Sequence, residues 1–241
     1  MRAPRGLVAD VVRFSWVDGP GNRFVVFLQG CNFNCLACHN PHTIPRMTPR
    51  AHAVEAEDLV AQARTLAPFL SGVTVSGGEA ILQAPFVRRF FSALAGDEGV
   101  PRLTRFIDSN GAAAPQVWRS LLPLTDGVML DLKALDPAVH RYLTGEDNAQ
   151  VLRSIRQVSA SGKLYEVRLL LVPGINDDPV NLRATVRWLL DMDPDLRIKV
   201  IGFRQHGVRA TARRWPEPGS QRLEQYREQL SGLGVRDLEV V

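Results

Sequence analysis

The sequence is poor in cysteine and has no long apolar run. It contains three cysteines in 241 residues, and none of them lies outside the short segment from Cys31 to Cys38. An odd number of cysteines, with none elsewhere to pair with, disfavours a disulfide framework and predicts a reducing compartment, the cytoplasm. No stretch approaches the roughly 20 apolar residues that cross a bilayer, so we expect neither a membrane segment nor an export signal.

Lysine is also scarce, although the chain is basic. The formal net charge is +4, yet the only lysines are Lys133, Lys163 and Lys199, so most of the positive charge is arginine spread along the sequence. No helix-turn-helix or zinc-finger spacing accompanies it, and we expect no nucleic-acid partner. The length and the hydrophobic share of 45% are those of one globular domain, predicted over residues 1–241.

Apolar segments of strand length alternate with segments of helical period. Strands are predicted at residues 22–29, 73–76, 103–108, 127–132, 164–172 and 197–203, with an extended tail at 237–241. A helix is predicted after each of the six strands. This alternation indicates a parallel α/β sheet with right-handed crossovers, which an open doubly wound sheet and a curved partial barrel satisfy equally.

The cysteines are the strongest chemical signal. Cys31, Cys35 and Cys38 place three thiols within eight residues. Cysteine thiolates hold iron–sulfur clusters, and three of them on a four-iron cluster leave one iron open for a cofactor. A zinc site completed by His39 or His42 is the main alternative, and a Cys35–Cys38 redox dithiol is another. The spacing favours the cluster.

The surroundings of the cysteines narrow this interpretation. Val17-Asp18-Gly19-Pro20-Gly21 precedes them, Gln29-Gly30-Cys31 opens the loop and Cys38-His39-Asn40 closes it. Together with the Cys-x-x-x-Cys-x-x-Cys spacing, these motifs resemble the glycyl radical enzyme activases of the radical S-adenosylmethionine (SAM) superfamily. The resemblance covers about residues 14–207 and implies a partial (β/α)6 barrel of the radical SAM type, with the active site at the carboxyl ends of the strands.

The resemblance also implies the chemistry. Cys31, Cys35 and Cys38 would hold one 4Fe-4S cluster, since the chain has no further cysteines for the ferredoxin-like insert of some activases. Reductive cleavage of SAM would then lead to hydrogen abstraction from a backbone glycine of a partner glycyl radical enzyme. A flavodoxin or ferredoxin would donate the electron, and the activase would act as a monomer.

Several polar residues follow the predicted strands. The resemblance assigns cofactor contacts to Asn40, Gly77, Gly78, Glu79, Asp108, Asp131, Lys133 and His206. It further implies a monovalent cation near Asp108, Ser109, Met129 and Asp131, and a contact of Lys133 with the cofactor carboxylate. From the residues alone, Gly77-Gly78 is also compatible with a plain tight turn, and the aspartates with helix caps.

Two residues are expected to face the protein substrate, and one position departs from the family. Arg168 lies in an apolar strand and needs an anion if it is buried, or it reaches the surface along its apolar stem. The resemblance places it where it would orient Asp18 toward the incoming glycine loop. After the sixth strand, Arg204 stands where the family usually has histidine, and His206 is the candidate substitute.

Two other functions stay open on the sequence. One is a radical SAM enzyme that acts on a small molecule or activates an anaerobic ribonucleotide reductase, which the Asp18-Gly19-Pro20-Gly21 loop disfavours. The other is a non-catalytic zinc or redox interaction module, which gives no purpose to the loops at Gly77-Gly78-Glu79 and Asp131-Leu132-Lys133.

Overall fold

The computed structural model describes residues 4–97 and 102–241, which fall into two compact units. The first unit comprises the chain up to Asn32, His42–Ser109 and Ala113–Met129, and the second comprises Phe33–Pro41, Asn110–Ala112 and Leu130–Val241. Residues 1–3 and 98–101, which the predicted single domain includes, lie outside the described part. That the whole chain forms one domain stays a prediction.

The first unit is a five-stranded sheet with helices packed on it. Its strands are β1 (Gly6–Ser15), β2 (Arg23–Leu28), β3 (His52–Val54), β4 (Gly72–Gly77) and β5 (Thr104–Ser109), in the order β3-β1-β2-β4-β5. Strands β2, β4 and β5 are parallel, whereas β1 is antiparallel to both of its neighbours. Its helices are α1 (Ala56–Leu66), α2 (Ala84–Ala95) and α3 (Pro115–Leu121). The boundary between the units falls within β6 (Gly127–Asp131).

The second unit contains three parallel strands and four helices. The strands are β7 (Leu164–Leu171), β8 (Ile198–Gly202) and β9 (Leu238–Val240), and the helices are α4 (Pro137–Thr144), α5 (Ala149–Ala160), α6 (Pro179–Met192) and α7 (Ser220–Gly232). Helices α4 and α6 begin with proline, which suits a first helical position because its N–H would have no partner there. The carboxylates of Asp136 and Asp178 cap these two helices by accepting hydrogen bonds from backbone N–H groups of the first turn.

The six predicted parallel strands and the extended tail are confirmed as β2, β4 to β8 and β9. Strands β1 and β3 are additional. Among the described residues, β3 pairs only with β1 and β9 only with β8, so hydrogen bonds do not close the strands into a barrel. In the same part of the chain, no helix is both long and apolar enough to cross a membrane.

Candidate active site

The Gly77-Gly78-Glu79 turn in the first unit packs directly on neighbouring backbone. Gly77 has a φ of +121°, and a Cβ on it would lie 2.2 Å from the backbone N of Leu28. A Cβ on Gly78 would lie 2.3 Å from the carbonyl oxygen of Gly30. The N–H groups of Gly78 and Glu79 donate to the carbonyls of Leu28 and Gly30, each at 2.8 Å. Glycine is therefore required here by packing, and the turn is fixed to the entry of the cysteine loop.

Polar side chains link the carboxyl ends of β4 and β5. Glu79 is 1% exposed, and its Oε1 accepts hydrogen bonds from Ser109 Oγ at 2.7 Å and from the N–H of Ile81 at 3.1 Å. Asp108 Oδ2 accepts from Ser76 Oγ at 2.8 Å. The structure thus brings Glu79, Asp108 and Ser109 together at this edge, as expected for side chains that follow parallel strands.

The entry of the cysteine loop is held by a buried glutamine. Gln29 is 4% exposed, and its Nε2 donates to the carbonyls of His42 at 3.1 Å and Pro45 at 2.6 Å. The N–H of Cys31 donates to the carbonyl of Ile44 at 3.0 Å. The first cysteine is therefore fixed to the segment by which the chain returns from the loop.

The other two cysteines belong to the second unit, where the loop runs along the end of helix α4. The N–H groups of Asn34 and Leu36 donate to the carbonyls of Thr144 and Leu143, at 2.9 and 2.8 Å. The last carbonyls of a helix have no partner within the helix, so the loop satisfies groups that would otherwise need water. Backbone geometry thus positions the segment that carries Cys35.

An apolar cluster covers the same loop. Ala37 and Leu36 pack with side chains of α4, of the residue after β7 and of the segment after β8, the buried members being Leu143, Val172, Phe203, Val208, Ala212 and Trp215. The ring of Phe203 lies 5.7 Å from that of Trp215. Residues 203–215 therefore contribute apolar side chains that support the cysteine loop.

The thiols are free and partly buried. None of the three cysteines forms a disulfide. Burial raises the pKa of Cys35 to about 11 and also raises that of Cys38, while the positive charge of Lys133 acts in the opposite direction on both. Metal binding requires thiolates, so an incoming metal would displace protons from both sulfurs.

Lys133 lies beside these thiols in an ion pair. Its Nζ donates to Asp131 Oδ2 at 2.7 Å. Burial alone would lower the pKa of Lys133, but the Asp131 carboxylate and the neighbouring sulfurs outweigh it and the pKa is raised. The ammonium therefore stays protonated at neutral pH. The expected contact of Lys133 with a cofactor carboxylate stays a prediction.

The segment after β8 reaches His39 through its backbone. The Nε2–H of His39 donates to the carbonyl of Arg204 at 3.0 Å, and burial lowers the pKa of His39, which favours the neutral ring. A Cβ on Gly207 would lie 2.8 Å from the carbonyl oxygen of His39. Both Arg204 and His206 are exposed. The residue that departs from the family pattern thus contacts the cysteine loop by its main chain, whatever its side chain.

Arg168 is buried and has an anionic partner that the sequence analysis missed. Its Nε donates to Glu166 Oε1 at 2.6 Å, and both side chains are less than a tenth exposed. The other oxygen of Glu166 accepts from Arg197 at 3.2 Å. Burial excludes the surface alternative for Arg168. The spacing was the available signal, because residues two apart on a strand share a face.

Asp18, which is expected to face the protein substrate, lies in the first unit. Its Oδ2 accepts a hydrogen bond from Ser15 Oγ at 2.5 Å.

His140 lies on α4 in the second unit and is fully buried. Neither of its ring nitrogens makes a hydrogen bond, and its ring meets the edge of the Phe33 ring at a centroid distance of 5.7 Å. Burial lowers the pKa of His140 to about 4, so the ring is neutral beneath the cysteine loop. In the sequence, the only signal for the burial of His140 was its position on the apolar face of α4.

Comparison with known proteins defines the class of this chain. A family model described as the radical SAM superfamily matches residues 25–185, which is more than half of the chain. The chain belongs to the radical SAM superfamily. This family implies a 4Fe-4S cluster and SAM as cofactors.

Within the superfamily, the chain is similar to one kind of enzyme. It is 35% identical over 208 residues to the pyruvate formate-lyase-activating enzyme of Streptococcus mutans serotype c, covering 84% of this chain and 79% of that one. It is 36% identical over 197 residues to the pyruvate formate-lyase 1-activating enzyme of Escherichia coli K12, covering 79% and 78%.

A solved structure confirms the predicted fold. A domain of the pyruvate-formate lyase-activating enzyme from Bacteroides vulgatus superposes with a TM-score of 0.58 and 21% identity, covering 70% of this chain and 98% of that one. At this identity the likeness establishes the fold alone. Together with the superfamily match and the parallel strands, it supports the predicted partial barrel.

The cysteines supply the kind of ligand that the family's cluster requires. Each of the three is a free thiol, and cysteine thiolates are the usual ligands of iron–sulfur clusters. The loop is held by backbone hydrogen bonds in both units, and a lysine near two of the thiols offsets negative charge. No disulfide competes for these sulfurs.

Proposed function

We propose that this protein is a radical SAM activase that cleaves SAM reductively and abstracts a hydrogen atom from a backbone glycine of a partner glycyl radical enzyme. The observation that carries the proposal is the 35–36% identity to pyruvate formate-lyase-activating enzymes over 79–84% of the chain. Membership of the superfamily supports the radical chemistry, and the Asp18-Gly19-Pro20-Gly21 loop supports a protein substrate.

The roles proposed for the cysteine loop rest on its support. Cys31, Cys35 and Cys38 hold the cluster, which together with SAM supplies the radical chemistry when bound. The Gln29 side chain holds the backbone before Cys31 and the end of α4 holds it on either side of Cys35, so little conformational entropy is lost there when metal binds. Lys133, protonated beside Cys35 and Cys38, offsets the charge of the thiolates.

Cofactor contacts are proposed at the carboxyl ends of the strands, where barrel enzymes place their active sites. The residues proposed for them are Asn40, Gly77, Gly78, Glu79, Asp108, Asp131, Lys133 and His206. The rigid Gly77-Gly78-Glu79 turn would bind through its backbone, since the Glu79 carboxylate already accepts from Ser109. Asp18 and Arg168 are proposed to bind and orient the glycine-bearing segment of the partner.

Four further features form part of the proposal. Flavodoxin or ferredoxin donates the electron, the protein acts as a monomer, and it works in the cytoplasm. A monovalent cation binds near Asp108, Ser109, Met129 and Asp131, because hard cations prefer carboxylate and hydroxyl oxygens. The hydrogen bonds of Asp108 and Ser109 at the end of β5 hold two of these oxygen-bearing side chains in place.

The proposed function predicts hydrogen transfer from a protein. The anaerobically reconstituted and reduced protein is mixed with SAM and pyruvate formate-lyase that carries α-deuterated glycine. We expect a glycyl radical signal on the lyase by electron paramagnetic resonance and one deuterium in the released 5′-deoxyadenosine. A variant with Cys31→Ser, Cys35→Ser and Cys38→Ser should give neither. Release of 5′-deoxyadenosine without a radical or deuterium would contradict activation of this partner and favour the small-molecule alternative.

A further inference from the structure

Arg23, the first residue of β2, is an arginine with no exposed surface. Its guanidinium donates to Thr104 Oγ1 at 2.6 Å, to the carbonyl of Val73 at 2.5 Å and to the carbonyl of Thr104 at 3.1 Å, and it lies 4.5 Å over the ring of Phe106. Burying a charge is costly unless its donors are satisfied, so a chain keeps such an arginine where it holds something in place.

The same guanidinium reaches the turn formed by residues 18–21. Nη1 approaches the carbonyl of Pro20 at 3.4 Å, and Nε donates to Thr74 Oγ1 at 3.1 Å. That hydroxyl in turn donates to the carbonyl of Asp18 at 2.7 Å. Two carbonyls of the turn are therefore connected to Arg23, one directly and one through Thr74.

Two further contacts hold the turn, the hydrogen bond from Ser15 Oγ to Asp18 Oδ2 and the packing of Gly21 against Ser71. Gly19 and Gly21 adopt φ values of +129° and +70°, a region that glycine enters freely but in which it also samples many alternatives. Trp16 and Val17, which precede the turn, are 76% and 67% exposed. The side chains before the turn are therefore largely in solvent, and the hydrogen bonds of Arg23, Thr74 and Ser15 reach the turn from the protein side.

We propose that Arg23 is a positioning residue for the protein substrate: it holds the turn at Asp18–Gly21 in the shape that receives the glycine-bearing segment of the partner. This rests on the proposed function, in which Asp18 binds the backbone of that segment. The ligand is an extended peptide with glycine at its centre, which would lie against Asp18 with Trp16 and Val17 beside it. Arg23 takes no part in the cleavage of SAM.

The test separates partner binding from SAM cleavage. For Arg23→Met, initial rates of pyruvate formate-lyase activation are measured against lyase concentration, and 5′-deoxyadenosine release is measured without the lyase. We expect KM for the lyase to rise at least about tenfold, while kcat, partner-free release and iron content stay within about twofold of wild type. Arg105→Met removes an arginine from β5 of the same unit, where it pairs with Asp126, and serves as the matched control with an unchanged KM.

Graded variants protect the test against misfolding. Arg23→Lys keeps the charge but replaces the planar fork by one ammonium, so KM should rise by an intermediate factor of roughly threefold. Thr74→Val removes only the hydroxyl that links Arg23 to Asp18 and should raise KM in the same direction. Its control is Thr125→Val, a buried threonine of the same unit whose hydroxyl donates within its own helical turn.

Each outcome decides the question. If KM is unchanged in both Arg23→Met and Thr74→Val while wild type activates the lyase, the inference is wrong. If partner-free release falls together with iron content in folded protein, Arg23 has a general structural role and the inference is also wrong. If wild type releases 5′-deoxyadenosine but leaves no radical on the lyase, the proposed function fails first and the role of Arg23 toward that partner fails with it.

Discussion

Two loops of the candidate site are held in place by different means. The turn at residues 18–21 in the first unit is held by side chains. Arg23 donates a hydrogen bond to one of its carbonyls, and the Thr74 hydroxyl donates to another. The segment with Cys35 and Cys38 in the second unit is held by backbone hydrogen bonds to the end of α4 and by an apolar cluster. The shape of the first loop depends on a few polar side-chain atoms. The shape of the second depends on main-chain hydrogen bonds and on the volume of the apolar side chains packed against it.

This difference determines how each loop should respond to substitution. A turn held by side chains loses its shape when one donor is removed, whereas a backbone-held loop tolerates changes of side chain that preserve the packing. For an enzyme that must keep a metal in place and also receive a protein, such a division is useful. The cysteine loop, proposed to bind the metal, is made robust, and the turn at residues 18–21, proposed to bind the substrate, can be adjusted by single residues.

The largest effect is expected from a cavity beneath the cysteine loop. Phe203→Ala removes a fully buried ring from the apolar cluster, and such truncations cost about 3–5 kcal/mol of unfolding free energy. Urea unfolding measures the loss. Phe69→Ala, at a phenylalanine that is 69% exposed, should change stability by less than about 0.5 kcal/mol. A loss below about 1.5 kcal/mol for Phe203→Ala would show that the cluster does not support the loop.

A smaller effect is expected at the side-chain-held entry of the same loop. Gln29→Met keeps the volume but leaves the carbonyls of His42 and Pro45 without their donor, which costs about 2 kcal/mol for buried groups. Gln221→Met, at an exposed position, is the control for unfolding. Equal stability of the two variants would mean that backbone bonds alone hold the entry, so that the whole cysteine loop, unlike the turn at residues 18–21, would be independent of polar side chains.

More of the fold than of the side-chain contacts could be predicted from the sequence. Strands β2 and β4 to β8 are apolar runs that can be recognised in the sequence. Strands β1 and β3 were missed, because Asp10 and Arg13 interrupt the apolar pattern of β1 and β3 is only three residues long. Motif positions at strand ends were predictable because parallel strands present them at one edge. The partners of Arg23, the Arg168–Glu166 pair and the burial of His140 depend on packing between elements distant in sequence, which no local pattern encodes.

A pH-dependent contrast is expected at Asp177, which joins the turn after β7 to α7. Tyr226 donates to Asp177 Oδ2 at 2.7 Å, and Arg222 donates to the same oxygen. Burial alone would raise the pKa of Asp177, but these hydrogen bonds outweigh it and lower the pKa. The stability that they confer is therefore present above the unfolded pKa of about 3.9 and is lost as the pH falls through the folded value.

Tyr226→Phe should consequently cost about 1 kcal/mol near neutral pH, and less once the pH has fallen through the lowered pKa of Asp177 and its carboxylate is protonated. Denaturant unfolding between pH 3 and 7 measures this. Tyr142→Phe, at a half-exposed tyrosine, is the control and should show no such trend. If Tyr226→Phe cost the same free energy of unfolding at every pH, the ionised Asp177 carboxylate would not contribute to the stabilisation by Tyr226.

The smallest effect is expected where the chain departs from its family. Arg204 accepts the hydrogen bond of His39 through its carbonyl, and its side chain is exposed. Arg204→His should therefore change unfolding free energy by less than about 0.5 kcal/mol and leave iron retention unchanged, because the main-chain contact survives. His39→Ala removes the donor instead and should cost roughly 1 kcal/mol and speed the loss of iron to a chelator. If Arg204→His matched His39→Ala in both measurements, the side chain at 204 would be part of what holds the loop, and the backbone-held character of this segment would be wrong.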